Sequence, residues 1–166
     1  MLRKPQKALI YHEKALNLTE DLHGKIKSES TQRDLIVGYI SMGDVQKDLR
    51  KSQEALMYYE KALKLTENLH EKIGSDRSLR ELTISYIRMS RMLKGLRMRR
   101  EALKYCEMAF RHRESLHEKT RSMKSLQDLA ISYINMGNTL MGLWRIREAL
   151  SYYKKVLKCM NDFFDN

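Results

Sequence analysis

The chain of 166 residues is poor in residues that turn or break a backbone: it has one proline, Pro5, and seven glycines. An all-β architecture needs tight turns at short intervals, and this composition does not supply them. No apolar run approaches the roughly 20 residues that a membrane-spanning helix requires. The N-terminal stretch MLRKPQKALIYHEKAL carries basic residues but neither an unbroken apolar segment nor a small-residue cleavage site, which argues against a signal peptide. Two cysteines, Cys106 and Cys159, make neither a disulfide framework nor a metal motif, so reduced thiols in a cytoplasmic protein are expected. A Gly-rich phosphate loop, an H-E-x-x-H motif and a nucleophile elbow are all missing. The expectation is a protein without catalytic activity, cofactor or metal, and without a membrane partner.

What the chain has in plenty is charge, and it has repetition. Its 32 lysines and arginines outnumber 21 acidic residues, a net +11 spread along the sequence rather than gathered in one arm. Such an excess suits an acidic partner, nucleic acid or an anionic surface, without choosing among them.

The repetition is regular. Ala8, Ala55, Ala102 and Ala149 recur at a constant interval of 47 residues, and Tyr11, Tyr58, Tyr105 and Tyr152 keep the same register. A second segment repeats in step, placing Tyr39, Tyr86 and Tyr133, then Met42, Met89 and Met136, then Leu49, Leu96 and Leu143. Steps of three and four put the apolar residues of each segment on one helical face. Each unit therefore holds two helices, A (Leu35, Tyr39, Met42, Leu49) and B (Ala55, Tyr58, Tyr59, Ala62, Leu65, Leu69). The short A-to-B connections, LRKSQ, LRMRR and LWRIR, require the two helices to pack antiparallel. Thr31-x-x-Asp34, Ser78-x-x-Glu81 and Ser125-x-x-Asp128 look like capping boxes that start each A helix, while Ser28, Ser75 and Ser122 stand just upstream; which hydroxyl caps is left open by the pattern. A lone helix pair cannot bury its apolar face, but stacked copies can, which explains the constant interval.

These residues resemble the tetratricopeptide repeat. The family pattern of an aromatic, a large apolar residue and glycine on helix A, then alanine and an aromatic on helix B, is matched by Tyr39-x2-Met42-Gly43 with Ala55-x3-Tyr59 and Ala62, and by Tyr133-x2-Met136-Gly137 with Ala149-x3-Tyr153. The middle unit is looser: Tyr86-x2-Met89-Ser90 with Ala102-x3-Cys106. The usual repeat has 34 residues, and the 13 extra here are expected to lengthen B and the following A by one to two turns each. The resemblance implies an all-α, right-handed superhelical solenoid of about seven helices. It would be a single domain over residues 1–166, with a half unit at 1–27 and full units at 28–74, 75–121 and 122–166. The first unit lacks its A helix. Leu9 and Tyr11 near one end, and Phe163 and Phe164 near the other, are candidates for self-association.

In the family the A helices line a concave groove that holds a partner's peptide or helix. The resemblance then implies groove positions at Val37, Ile40, Asp44 and Lys47 on the first A helix. On the second it implies Ile84, Ile87, Arg88, Arg91 and Lys94. On the third it implies Ile131, Ile134, Asn135, Asn138 and Met141. The β-branched residues form an apolar column, Arg88, Arg91 and Lys94 share one helical side, and the asparagines add amide donors and acceptors. This set suits a protein segment with apolar anchors and carboxylates. His23, His70 and His117 recur at the ends of B helices and are read as structural, because no helix gives them ligand spacing. Two other readings stand beside an interaction scaffold. One is nucleic-acid binding through Arg97, Arg99, Arg100, Arg111 and Arg113. The other is a regulatory or oligomerising array within a larger effector protein.

Overall fold

The computed structural model describes residues 4–164; side chains are described from Gln6 to Asn161. Among the described residues every regular element is an α-helix: α1 (Lys4–Ile26), α2 (Glu29–Asp48), α3 (Ser52–Ile73), α4 (Asp76–Gly95), α5 (Arg99–Thr120), α6 (Met123–Gly142) and α7 (Ile146–Phe164). None is long and apolar enough to cross a membrane. The odd-numbered helices are the B segments and the even-numbered ones the A segments. Contacts divide the chain into two compact units, one ending at Ser85 and the other beginning at Tyr86, so the division falls within α4.

The helices start where their caps dictate. Ser28 caps α2: its hydroxyl accepts from the Thr31 amide at 3.2 Å, and the Thr31 hydroxyl accepts from the Ser28 amide at 3.1 Å. Ser75 and Ser122 accept from the Ser78 and Ser125 amides in the same way. The cap thus lies one turn upstream of the capping boxes read from Thr31, Ser78 and Ser125. The reason is that these three are themselves N3 residues, whose hydroxyls reach back to the cap. The recurring histidines complete the joint. His23 Nδ1 stands 3.0 Å from Thr31 Oγ1, and His70 and His117 Nδ1 stand 2.8 Å from Ser78 and Ser125 Oγ. Each B-to-A connection is thereby tied to the end of the B helix before it. The connections turn through left-handed residues, Lys27, Gly74 and Arg121, and the A-to-B turns do so through Arg50, Arg97 and Trp144.

Within each A–B hairpin a small residue lets the helices approach. A Cβ on Gly43 would stand 2.8 Å from Tyr59 Cε1, and one on Gly137 would stand 2.5 Å from Tyr153 Cε1. In the middle hairpin glycine becomes Ser90 and tyrosine becomes Cys106, and both are buried. The swap is complementary in direction, a larger residue on α4 against a smaller one on α5. Cores form along these seams, Leu16, Leu35 and Met42 in the first unit, and Leu103, Cys106, Met136, Leu140 and Ala149 in the second. The recurring tyrosines pair in register as Tyr39–Tyr58, Tyr86–Tyr105 and Tyr133–Tyr152, with ring centroids 6.0–6.3 Å apart.

Candidate functional site

In the first unit, α2 and the N-terminal half of α4 flank an open pocket of about 250 Å³. Ile36, Val37 and Ile40 come from α2, and Ile84 and Ser85 from α4, while Thr66 of α3 forms the floor. Thr66 donates to the Ala62 carbonyl at 2.7 Å and lies 3.2 Å from Ser85 Oγ. The floor's hydroxyls are thus engaged within the protein, and the pocket offers a guest mainly carbon. Val37 (61% exposed) and Ile84 (48% exposed) stand at its mouth. One rim is ionic. Arg33 Nε lies 3.3 Å from both oxygens of Glu81, and Arg77 Nε donates to Glu81 Oε1 at 3.1 Å. Glu81 therefore carries two guanidiniums, and Glu29 pairs with Arg33 at 3.5 Å, so two arginines face two glutamates along that rim.

A second pocket, of about 320 Å³, lies between α1 and α2 and is lined by His12, Ala15, Thr19, Asp34, Val37, Gly38 and Ser41. The two helices come close here because Gly38 has no side chain: a Cβ would meet Leu16 Cδ1 at 3.1 Å and Thr19 Oγ1 at 3.2 Å. Val37 lines both pockets.

Of the first-unit residues expected in a groove, Val37, Ile40 and Ile84 line the first pocket together. Asp44 and Lys47 line neither pocket. They lie a turn or more further along α2, where Asp44 accepts from the Tyr59 hydroxyl and pairs with Lys47 at 3.7 Å.

In the second unit Ile87 departs from the expectation: it is only 8% exposed. It shares a stripe with Thr83 and Ser90, at steps of four and three, and both are buried. The buried face of α4 is wider than the groove register assumes, and Ile87 belongs to the core. Its counterpart on α6, Ile134, is 40% exposed, as is Ile131. Arg91 is exposed and Arg88 partly so. Burial pushes the Lys94 ammonium below its ordinary pKa; the Cys106 sulfur opposes this and the Arg91 charge adds to it. Asn138 accepts from the Tyr153 hydroxyl at 2.8 Å, Asn135 keeps a buried Nδ2 with no partner among the described residues, and Met141 is exposed.

Arg113 shows how the two units differ. It stands one 47-residue step beyond Thr66, and Ser132 one step beyond Ser85. Its guanidinium donates to the Asp128 carbonyl at 2.8 Å and to Ser132 Oγ at 3.2 Å. Burial lowers its pKa, Asp128 opposes this, and the Arg91 charge lowers it further. The Arg91 charge is thus felt by both Lys94 and Arg113, and of the two Arg113 is the one engaged by a carboxylate, that of Asp128. As an internally bonded side chain, Arg113 drops out of a phosphate-contacting set, whereas Arg97, Arg99, Arg100 and Arg111 are exposed.

Sequence reasoning missed Arg33, Arg77 and Glu81, having assigned Glu81 to a cap. The available signal was spacing: Arg33 and Glu81 are 48 residues apart, one interval plus one, which brings opposite charges together on successive A helices.

The tetratricopeptide repeat family matches this chain over residues 37–69 and again over residues 129–161. These spans contain the two hairpins with the glycine–tyrosine contact and omit the serine–cysteine one. No curated protein sequence matches. Among solved structures, the chain is similar to the crystal structure of BtubC (BKLC) from P. vanneervenii, with 12% identity, 99% of this chain and 94% of that one covered, and a TM-score of 0.40. It is similar also to the crystal structure of MamA protein (10% identity, 94% and 93% covered, TM-score 0.38) and to MamA 41-end from Desulfovibrio magneticus RS-1 (13% identity, 91% and 96% covered, TM-score 0.37).

Proposed function

Because the chain is a tetratricopeptide repeat protein, we propose that it is a non-catalytic interaction module whose A-helix surfaces hold a segment of a partner protein rich in apolar anchors and carboxylates. The observation that carries this reading is the carbon-lined pocket of about 250 Å³ between α2 and α4, edged by the Arg33–Glu81–Arg77 network. One apolar side chain fits such a pocket, and a well-desolvated anchor contributes roughly 1–3 kcal/mol. In the second unit, Arg88, Arg91 and Lys94 supply the positive surface beside which a carboxylate gains. Each unit then offers its own contact: the pocket of the first takes an apolar anchor, and the cations of the second favour a carboxylate.

The test is affinity capture from the native cell extract with mass spectrometry, using the wild type, Val37→Glu/Ile84→Glu and Arg88→Glu/Arg91→Glu. Val37, Ile84 and Arg91 are exposed and Arg88 is partly so, so melting temperatures should stay within a few degrees. Partners retained by the wild type and lost by both variants support the reading. The same partners retained by all three would remove the A-helix surfaces from the binding account.

Nucleic-acid binding remains the second reading, resting on Arg97, Arg99, Arg100 and Arg111. A mobility shift that persists in the Val37→Glu/Ile84→Glu variant and weakens steeply with salt would favour it.

A further inference from the structure

Each A helix passes to its B helix through a turn with one left-handed residue: Arg50, Arg97 and Trp144, at φ 61°, 62° and 61°. Two of these positions hold a cation, as a turn facing water favours. The third holds the only tryptophan of the chain, and it is 82% exposed. A large apolar ring in water, on a backbone that bulky residues rarely adopt, is a local conflict that packing within the chain does not resolve. Its exposure is a property of the position, since Arg50 and Arg97 are exposed as well. Two more apolar side chains share the edge: Met98 is 40% and Ile146 46% exposed. Their counterparts in the other turns, Lys51 and Arg145 for Met98 and Arg99 for Ile146, are exposed too.

The last two A-to-B turns belong to the second unit and lie side by side: a Cβ on Gly142 would stand 3.6 Å from Cδ and Nε of Arg99. Around the apolar trio stand Arg97, Arg99, Arg100 and Arg147, exposed and in no ion pair with a carboxylate among the described residues. A fifth arginine, Arg145, holds Glu148 at 2.6 Å. We propose that this edge of the second unit is a peripheral docking surface for an anionic lipid bilayer. Trp144, Met98 and Ile146 enter the boundary between headgroups and acyl chains, and the arginines meet lipid phosphates and acidic headgroups. The indole suits that boundary, with an apolar body and one N–H that can stay among the headgroups. The arginines keep their charge at the same level while their stems lie along carbon. A nucleic acid would satisfy the arginines and could stack a base on Trp144, but it would leave Met98 and Ile146 against water. Hydrocarbon covers all three. The expectation of no membrane partner rested on the lack of a spanning segment, and a surface contact needs none. The proposal is independent of the A-helix surfaces proposed above to hold a protein segment.

The test mixes the full chain with vesicles of phosphatidylcholine alone, or of equal parts phosphatidylcholine and phosphatidylglycerol, and reads binding by co-sedimentation. Because Trp144 is the only tryptophan, its emission reports the contact directly. It should move to shorter wavelength on the anionic vesicles, and lipids brominated in the upper acyl chain should quench it. Arg99→Glu/Arg100→Glu should weaken binding about ten-fold or more. Trp144→Arg separates insertion from charge, because arginine already holds this position in the other two turns and the backbone accepts it. It adds a cation and removes the ring, so it should bind about five-fold or more weaker than the wild type. Circular dichroism melting confirms that the variants fold. Trp144→Arg binding as tightly as the wild type, or more so, would reduce the contact to charge and overturn the proposal. So would a wild type that fails to sediment with anionic vesicles or binds neutral ones equally. A single-stranded oligonucleotide that binds and quenches Trp144, with no wavelength shift on vesicles, would overturn it as well and make the edge a nucleic-acid surface.

Discussion

Gly43 lies beneath the ring of Tyr59 so closely that a Cβ would stand 2.8 Å from Cε1, while the Tyr59 hydroxyl reaches past it to Asp44. Gly43→Ala should destabilise the chain by about 1–3 kcal/mol, the usual cost of overpacking. In the middle hairpin, Cys106→Tyr alone should be costly against Ser90, and adding Ser90→Gly should recover part of the loss. Denaturant unfolding of the two single variants and the double measures the coupling. Additive losses would mean that the two positions do not compete for space.

Arg121 turns the chain between α5 and α6 with φ 47°, where Gly74 performs the same turn one interval earlier with φ 61°. A side chain in this left-handed region costs about 1–2 kcal/mol, partly offset by the entropy glycine loses on folding. Arg121→Gly should therefore raise stability by about 0.5–1 kcal/mol, seen as a higher denaturation midpoint at unchanged slope.

The His70–Ser78 bond of 2.8 Å joins the end of α3 to the first turn of α4. Ser78→Ala should cost about 1 kcal/mol or more, because Ser78 is buried and its hydroxyl also donates to the Ser75 carbonyl. His70→Ala added to Ser78→Ala should cost less than the sum of the two single changes. Full additivity in the double-mutant cycle would show that the ring and the hydroxyl act independently.

Two groups predict opposite responses to alkali. Burial, then the bond to Glu20, pushes the Tyr39 phenol up to about 12. Its contribution to stability is whole below the unfolded value near 10 and is lost as pH climbs through about 12. Tyr39→Phe should flatten that part of the stability profile. Lys94 is held below its ordinary pKa by burial, so its charged form opposes folding at neutral pH. Lys94→Met should stabilise the chain at pH 7, and the gain should shrink as pH rises toward the lysine's unfolded value near 10.4. Chemical denaturation across this range reads both.

The helices were legible because the same apolar spacing is written several times at one interval; a register error in one copy would conflict with the others. Tyr39, Met42 and Ala55 announce their own burial. The caps were harder, since Ser28 and Thr31 are both hydroxyl residues three apart and only backbone geometry tells cap from third residue. The candidate site was less legible still. Ile87 and Ile134 hold equivalent positions, yet one is core and the other surface, because exposure depends on what surrounds a position and a period does not encode that. The change from Thr66 to Arg113 is visible in the sequence, but its effect, a guanidinium bonded to Asp128 and Ser132, requires the neighbouring helix to be in place.

Val37 forms a partition between two hollows of unlike character, one carbon-lined and the other carrying His12 and Asp34. A β-branched side chain has few rotamers, so this partition is stiff. A guest that fills both sides must straddle it, with one greasy group and one polar group set apart by a single side chain's width. On the proposed reading, Val37→Ala would widen the passage between the hollows and relax that spacing requirement.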